Sequence, residues 1–187
     1  MTERREEILR AALRLIGSRG LHHVTHRDVA AEAGVSLGST TYYFATKEEL
    51  LSEALRLFVS EEAARMHEAA RRFEGVRAEP EQIVDAMVAE IGDTLSRPVE
   101  QVAQFELYLE ATRTPQLADV AKESFAAYEE VGVAALRSAG AKDPETLAPI
   151  FIGLIEGLMF RQLVEPRSDW LEAVLKPRLL ELFGAVG

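Results

Sequence analysis

The sequence of 187 residues contains no cysteine. A disulfide framework, a thiol nucleophile and a cysteine-based zinc site are therefore excluded. No apolar run reaches the roughly 18–20 residues that cross a membrane, and the charged N-terminus lacks the apolar core of a signal peptide. These absences predict a soluble cytoplasmic protein with no membrane partner.

A surplus of positive charge is missing as well. The chain has 21 basic and 31 acidic side chains, which gives a net charge of −10. Residues 1–50 hold seven of each sign, so the whole excess of negative charge lies in residues 51–187. An acidic body behind a neutral head would orient that head toward phosphate. The charge balance permits DNA binding by the head but does not by itself predict it.

The sequence also lacks the motifs of the common enzyme classes. It has no HExxH, no phosphate-binding glycine loop and no G-x-S-x-G elbow. None of the four histidines follows a glutamate by three residues, as a di-metal site in a helical bundle would require. We therefore predict no catalysis, no metal and no cofactor. A helical-bundle enzyme remains an alternative that no motif supports.

Residues 24–50 carry the signals for short helices joined by tight turns. Thr25 can cap the first helix, and Gly34 falls where a helix ends in a left-handed residue. Ser36 can cap the second helix, and Thr46 begins a capping box for the third. Two short helices joined in this way have the geometry of a DNA-reading helix-turn-helix.

Together with the opening helix, residues 4–20, this stretch resembles the DNA-binding half of a TetR-family transcriptional regulator. The run VSLGSTTYYFATKEELL, from Val35 to Leu51, is similar to the family pattern V-S-x-G-x-(apolar)-Y-(Y/W)-H-F-x-x-K-x-x-L. The resemblance covers about the first 55 residues. The matching positions are Gly38, Tyr42, Phe44, Lys47 and Leu50. The departures are Thr40, Thr41 and Tyr43.

The resemblance implies a DNA-contacting role for Tyr42 and a phosphate contact for Lys47, while Gly38 would allow close approach to the DNA backbone. Thr41 could meet a thymine methyl or donate a hydrogen bond. Tyr43 could instead pack inward against the first helix. The candidate DNA-binding residues are Thr25, Arg27, Ser36, Leu37, Gly38, Ser39, Thr41, Tyr42, Tyr43 and Lys47.

Proline and glycine breaks divide the rest of the chain into long helical segments without β-type alternation. We predict an all-α fold with two parts. Residues 1–50 form a three-helix helix-turn-helix DNA-binding domain, and residues 51–187 form a helical bundle for ligand binding and dimerisation. The predicted helices after the head cover about 47–73, 80–96, 98–113, 115–139, 144–165 and 168–186, with Pro177 bending the last one.

The last two predicted helices carry more apolar surface than one monomer readily covers. Gly153 and Gly157 lie four residues apart, so another helix could approach that face closely. The resemblance implies that these helices form the four-helix bundle of a homodimer. The candidate interface residues are Gly153, Gly157, Phe160, Trp170, Val174 and Leu175.

The resemblance also implies an unknown small-molecule effector. Each candidate could equally be ordinary core, although Glu156, a carboxylate inside an apolar run, needs a partner. Aromatic residues make up only 7% of the chain, which argues against a large pocket for planar drugs and leaves a lipophilic or acyl ligand possible. The candidate effector-binding residues are Met87, Ile91, Gln104, Phe105, Tyr108, Phe125, Tyr128, Glu156 and Met159.

Our functional hypothesis is a homodimeric repressor that a small molecule releases from a palindromic operator in double-stranded DNA. The alternative is a DNA-binding architectural or interaction protein without an effector. The sequence leaves open the effector, the operator and the choice between repressor and activator.

Overall fold

The computed structural model describes residues 3–75 and 77–186, and the side chains of all these except 185 and 186. These residues form nine α-helices and no β-strand, which confirms the predicted all-α fold. The helices are α1 (Glu3–Arg19), α2 (His26–Glu32), α3 (Leu37–Tyr43), α4 (Lys47–Arg71), α5 (Pro80–Leu95), α6 (Pro98–Ala111), α7 (Pro115–Ser138), α8 (Pro144–Val164) and α9 (Lys176–Val186). A 3₁₀ turn, Leu21–His23, precedes α2, and a π-helical turn, Trp170–Leu175, precedes α9.

Proline sets the starts of the later helices. Pro80, Pro98, Pro115 and Pro144 each occupy the first position of a helix, where a missing N–H group costs no hydrogen bond. The breaks that the sequence predicts at these positions are therefore confirmed.

The final helical segment differs from the single bent helix that the sequence predicts. Pro177 cannot donate a hydrogen bond to the preceding turn of a regular helix. Just before it, the N–H of Lys176 donates to the carbonyl of Leu171, five residues back, which is the π-helical pattern. The irregularity that Pro177 predicts therefore takes the form of a wider turn ahead of α9.

The chain divides into two compact units. The head unit comprises Met1–Glu62 and Arg97–Ser124, and the body unit comprises Ala63–Ser96 and Phe125–Gly187. The head unit thus contains α6 and the first part of α7 as well as the helices that precede them. The functional division near residue 50 stays a prediction.

One apolar core holds the head unit together. Ile8, Phe44 and Leu55 are fully buried in it, and Leu107 of α6 joins them. Helix α6 approaches α1 at Gly17, where an added Cβ atom would lie 2.0 Å from the carbonyl oxygen of Val99. Two helices can come this close only because one of them carries a glycine at the crossing.

A second core fills the body unit between α5, α7, α8 and α9. The rings of Phe151 and Phe183 meet edge to face, with their centroids 5.5 Å apart. Helices α7 and α8 cross closely at Gly132, whose added Cβ would lie 3.2 Å from the Cβ of Ala148. Burial of such side chains is the main force that holds helices of this length together.

Helix α8 leaves most of its apolar surface uncovered within the body unit. It is long and apolar enough to cross a membrane, and 17% of the residues in its most apolar stretch are buried. Ile150 and Val164 are 69% and 68% exposed. An exposed apolar helix face of this kind is typical of a contact with another molecule.

Candidate nucleic-acid interface

Reciprocal hydrogen bonds fix the start of α2. The hydroxyl of Thr25 accepts a bond of 3.2 Å from the N–H of Asp28, and the Asp28 carboxylate accepts one of 3.0 Å from the N–H of Thr25. The Thr25 hydroxyl also donates to that carboxylate and thereby holds the pKa of Asp28 below its usual value. This capping box confirms the predicted beginning of the helix.

The turn between α2 and α3 also has the predicted chemistry. Gly34 has a φ of 65°, and the N–H of Val35 donates to the carbonyl of Ala30 across 2.9 Å. This pattern ends a helix in a left-handed glycine. Ser36 then caps α3 by accepting a bond of 3.1 Å from the N–H of Ser39. The predicted helix-turn-helix is confirmed at both ends of its turn.

Helix α3 has one buried and one exposed face. Thr40 and Phe44 are fully buried, and the Thr40 hydroxyl donates to the carbonyl of Leu37 across 2.9 Å. Gly38, Thr41 and Tyr42 are exposed, and Tyr42 has 82% of its surface accessible. The departure from the family pattern at Thr40 therefore lies on the packing side of the helix, where its hydroxyl already has a partner.

Tyr43 occupies the boundary between the two faces of α3. It is half-buried against the core of the head unit, and its ring meets that of Tyr42 edge to face at 5.1 Å. This placement agrees with inward packing, one of the two roles that the sequence leaves open. The ring of Tyr43 also supports the exposed ring of Tyr42 from one side.

Lys47, the first residue of α4, is held in place by the turn before α2. Its Nζ donates to the carbonyl of His22 across 2.8 Å. An ammonium group has three donors, so two remain for other acceptors. Thr46 caps α4, since its hydroxyl accepts from the N–H of Glu49 across 3.1 Å. The Glu49 carboxylate accepts from the N–H of Ala45 across 2.7 Å instead of from that of Thr46, so the reciprocal half of the predicted capping box is displaced by one residue. The predicted cap is confirmed.

Most arginines of the head already have carboxylate partners, which neutralise them locally. Among the ion pairs found within residues 3–75 and 77–186, none uses Arg27, which is exposed in the first turn of α2. Its charge is therefore available to a phosphate. Within residues 3–50 the paired arginines are Arg4 with Glu7, Arg5 with Glu53, Arg10 with Glu6 and Glu61, Arg14 with Glu32, and Arg19 with Asp28.

The candidate effector-binding residues are divided between the two units. In the head unit, Gln104 donates to the Tyr108 hydroxyl across 2.7 Å, and that hydroxyl lies 3.1 Å from the hydroxyl of Ser124. The ring of Phe105 meets that of Tyr108 edge to face. The remaining candidates lie in the body unit. Met87 and Ile91 belong to its core, and Met159 packs against that core. Tyr128 packs against a smaller cluster, Glu156 is half-buried and Phe125 is partly exposed.

The candidate dimer residues fall into two groups. Apart from the neighbouring backbone of α8 itself, no atom of the described residues lies within 4 Å of a Cβ added at Gly153 or Gly157, and Phe160 is half-exposed. Trp170 and Leu175 are instead buried in the body unit, and Val174 packs against the same core. Their apolar character is already satisfied within one chain, so the exposed part of the predicted face lies on α8.

Four polar residues that the sequence does not single out make contacts that hold the head unit together. The His22 carbonyl binds Lys47, Glu106 and Glu110 of α6 contact the turn before α2, and Ser124 completes the hydrogen-bonded chain with Tyr108. These partners lie 16 to 88 residues apart in sequence. No local pattern could have identified them. Among the described residues, no three histidine, aspartate or glutamate side chains are grouped so as to hold a metal ion.

Comparison with known proteins agrees with this geometry over the whole chain. Residues 8–54 match the family model for bacterial regulatory proteins of the tetR family, and residues 78–185 match that for the tetracyclin repressor-like C-terminal domain. The nicotine-responsive transcriptional repressor HdnoR of Paenarthrobacter nicotinovorans is 27% identical over 78% of this chain and 74% of its own length.

Two solved structures are similar from end to end. A transcriptional regulator from Rhodococcus sp. Rha1 has a TM-score of 0.77 and 25% identity, over 99% of this chain and 96% of that one. The multidrug binding protein EbrR in complex with imidazole has a TM-score of 0.70 and 30% identity, over 100% of this chain and 96% of that one. The chain therefore belongs to the TetR family, and it is a helix-turn-helix transcriptional regulator rather than an enzyme.

Proposed function

We propose that the protein is a homodimeric repressor that reads a palindromic operator with α3 and leaves it when a small molecule binds. The observation that carries this proposal is the exposed face of α3. Tyr42 stands out from it with 82% of its surface accessible, while the opposite side is buried in the head core. A short helix with one anchored face presents its outward side chains to the major groove.

The hydrogen bonds within α3 narrow the proposed role of Thr41. Its hydroxyl lies 3.2 Å from the carbonyl of Leu37 and 3.3 Å from that of Gly38, so its single donor is used inside the helix. The methyl group and the hydroxyl lone pairs remain for DNA. Of the two contacts open at the sequence level, the thymine methyl is therefore favoured over hydrogen-bond donation.

Two cations are proposed to bind the DNA backbone. Lys47 keeps two donors after its bond to His22, and Arg27 takes no part in an ion pair among the described residues. Ser36 and Ser39 are less suited to this role, since their hydroxyls lie 3.0 Å from each other and Ser36 also caps the helix. Phosphate contacts of this kind set affinity and register without reading sequence.

The second copy is proposed to cover the exposed face of α8. This face presents large apolar side chains around Gly153 and Gly157, at which a neighbouring helix meets no obstruction. If a second copy covers this face in a dimer, the apolar helix of a cytoplasmic regulator is buried by protein and needs no membrane. A symmetric pair of heads would then reach half-sites about 34–36 Å apart, one turn of DNA.

The proposed effector is a small organic base. HdnoR is described as nicotine-responsive, and EbrR was solved with imidazole and, at 29% identity and a TM-score of 0.63, with proflavin. In this chain the net charge of −10 lies wholly outside residues 1–50, which favours a cationic or basic ligand over an anionic one. The alternative without an effector has no comparable support.

Selection of genomic fragments by the purified protein at near-physiological salt tests the DNA-binding proposal. We expect one enriched palindrome. Tyr42→Ala should lose binding to it while the dimer stays folded, and Tyr42→Phe, which keeps the ring, separates stacking from hydrogen bonding. Fragments bound without sequence preference would favour the architectural alternative, and unchanged binding by Tyr42→Ala would remove its assigned role.

The effector class is tested on the selected palindrome. Nicotine, imidazole and decanoate are titrated into the complex, and release by either base is expected. Release by decanoate alone would contradict the organic-base proposal in favour of an acyl ligand. If none of the three compounds releases the protein from DNA, neither base is an effector, and the organic-base proposal loses the two compounds that support it.

The dimer face is tested by sedimentation of Gly153→Leu. We expect the bulky side chain to separate the two copies. A Cβ at Gly153 has open space among the described residues, so leucine fits the single chain and projects into the proposed interface. Ala89→Leu is the control, since Ala89 is exposed and lies on α5, which is not one of the helices predicted to form the dimer. A normal Gly153→Leu dimer would exclude this face of α8 from the interface.

A further inference from the structure

The 3₁₀ turn Leu21–His23 is held from two sides by polar contacts within the head unit. From α4, the Nζ of Lys47 donates to the carbonyl of His22 across 2.8 Å. From α6, a carboxylate oxygen of Glu106 accepts from the N–H of Leu21 across 3.3 Å. A carboxylate oxygen of Glu110 lies 3.4 Å from Nε2 of His22. The turn leads directly into the capped start of α2.

Glu110 is itself fixed in place within α6 and the residues that follow it, and Glu106 lies against the start of the turn. The Glu110 side chain is only 14% exposed, accepts a bond of 2.6 Å from the hydroxyl of Thr114 and lies 3.8 Å from the guanidinium of Arg113. Glu106 sits against Gly20, where an added Cβ would lie 3.5 Å from its other carboxylate oxygen. Gly20 has a φ of 80°, so the backbone turns there. The Glu110 carboxylate, which is anchored by its own neighbours, imposes its position on the turn instead of following it.

Packing alone does not hold the turn at this point. Leu21, His22, Lys47, Glu110 and five neighbouring residues line an open pocket of about 200 Å³ between the turn, α4 and the end of α6. Side chains beside such a space lack packing partners on one side. The hydrogen bonds and the contact between His22 and Glu110 therefore act together with the buried side chain of Leu21 to fix the distance from α6 to the turn and to Lys47.

We infer that Glu106 and Glu110 are positioning residues for DNA binding. They hold the turn that orients the His22 carbonyl, and this carbonyl orients the ammonium of Lys47. The inference rests on the proposed phosphate contact of Lys47. It also runs against simple electrostatics, because two carboxylates near the DNA face repel phosphate and their removal alone should tighten binding.

The opposite signs of these two effects provide the test. Affinity for the palindrome recovered by selection is measured for the alanine and glutamine variants of both glutamates, with Glu48→Gln as the control. Glu48 is an exposed carboxylate next to Lys47, so its removal reports the charge effect alone. Glu106→Ala should weaken binding about tenfold, the usual effect of losing one hydrogen bond to a charged group. Glu110→Ala should weaken it as well, while Glu48→Gln should leave it equal or tighter.

Rescue by the conservative variant separates positioning from charge at Glu106. Glutamine keeps an oxygen that can accept from the N–H of Leu21, so Glu106→Gln should bind DNA nearly as the wild type does. Glu106→Ala should bind more weakly. If both variants bind more tightly than the wild type, the charge effect dominates and the inference is wrong.

A double-mutant cycle links the glutamate to the lysine. Lys47→Ala alone should weaken binding and reduce the slope of affinity against salt by about one unit, and Glu110→Ala should then cause no further loss. Additive losses would overturn the coupling, as would wild-type affinity of Glu110→Ala. If the alanine variant does not fold, Glu110→Gln is used in the same cycle. A Lys47→Ala protein with wild-type affinity would refute the phosphate contact of the proposed function instead, before any glutamate is changed.

Discussion

Replacing Gly17 with alanine should destabilise the head unit, although the same change usually stabilises a helix. A Cβ atom at this position would lie 2.0 Å from the Val99 carbonyl oxygen and 2.7 Å from a side-chain carbon of Val99. The shortest ordinary distances between a carbon atom and a carbonyl oxygen at helix crossings are about 3.3 Å. Because the obstacle is backbone, α6 would have to move away from α1 by more than about 1 Å.

Two terms of opposite sign decide the outcome. Alanine is favoured over glycine inside a helix by about 1 kcal/mol, whereas forcing extra volume into a packed contact costs about 1–3 kcal/mol. The crossing also carries polar contacts farther along α6, and a displaced helix would stretch them. We expect a net loss of about 1–2 kcal/mol in the free energy of unfolding.

Urea denaturation followed by circular dichroism measures this loss. With a slope of about 2 kcal/mol per molar urea, the midpoint should fall by roughly 0.5–1 M. Wild type and variant are compared at one protein concentration, because the stability of a dimer depends on it. Gly184→Ala, in α9 with no atom within 4 Å of the added carbon, is the control and should gain up to about 1 kcal/mol. If Gly17→Ala gains stability as the control does, the close approach of α1 and α6 is refuted.

Three further changes give distinct outcomes. Gly38→Ala should keep or raise the melting temperature, since its Cβ would meet only a side-chain oxygen at 3.7 Å and alanine is favoured over glycine inside a helix. It should nevertheless weaken operator binding in a gel-shift titration; unchanged binding would exclude close approach of DNA. Thr25→Ala should cost about 1 kcal/mol in urea denaturation. It should also flatten the pH dependence, because the lowered pKa of Asp28 contributes stability above the ordinary aspartate pKa that is lost as pH falls; an unaltered acid profile would contradict this. Gly132→Leu should cost about 1–3 kcal/mol by overpacking against Ala148 and Ile152, and a wild-type urea midpoint would refute the close crossing of α7 and α8.

The parts of the fold that sequence predicts well depend on local chemistry. The N-caps at Thr25 and Ser36 and the left-handed turn at Gly34 each involve atoms within a few residues. Proline at the start of a helix is equally local, because only its own missing N–H matters. Such features form in the same way wherever the segment is placed, so one sequence is enough to predict them.

The parts that sequence cannot predict depend on contacts between distant segments. The bond from the N–H of Leu21 to Glu106 joins residues 85 positions apart, and the residues between them give no sign of it. Helical periodicity also cannot distinguish a core face from an interface face, since both require apolar side chains at the same spacing. For this reason Trp170 and Leu175, predicted at the dimer interface, are found in the core of the body unit.

The recognition helix α3 depends both on local chemistry and on contacts with distant segments. At seven residues α3 is too short to be stable alone, so its direction depends on what its buried face contacts. Thr40 and Phe44 supply that face, and both residues are fully buried in the head unit. The head unit includes α6, which ends against the turn that holds Lys47. DNA affinity should therefore respond to substitutions in α6 that never contact DNA. A head that ends at residue 50 would lack the helix that contacts the turn bonded to Lys47, the proposed phosphate ligand.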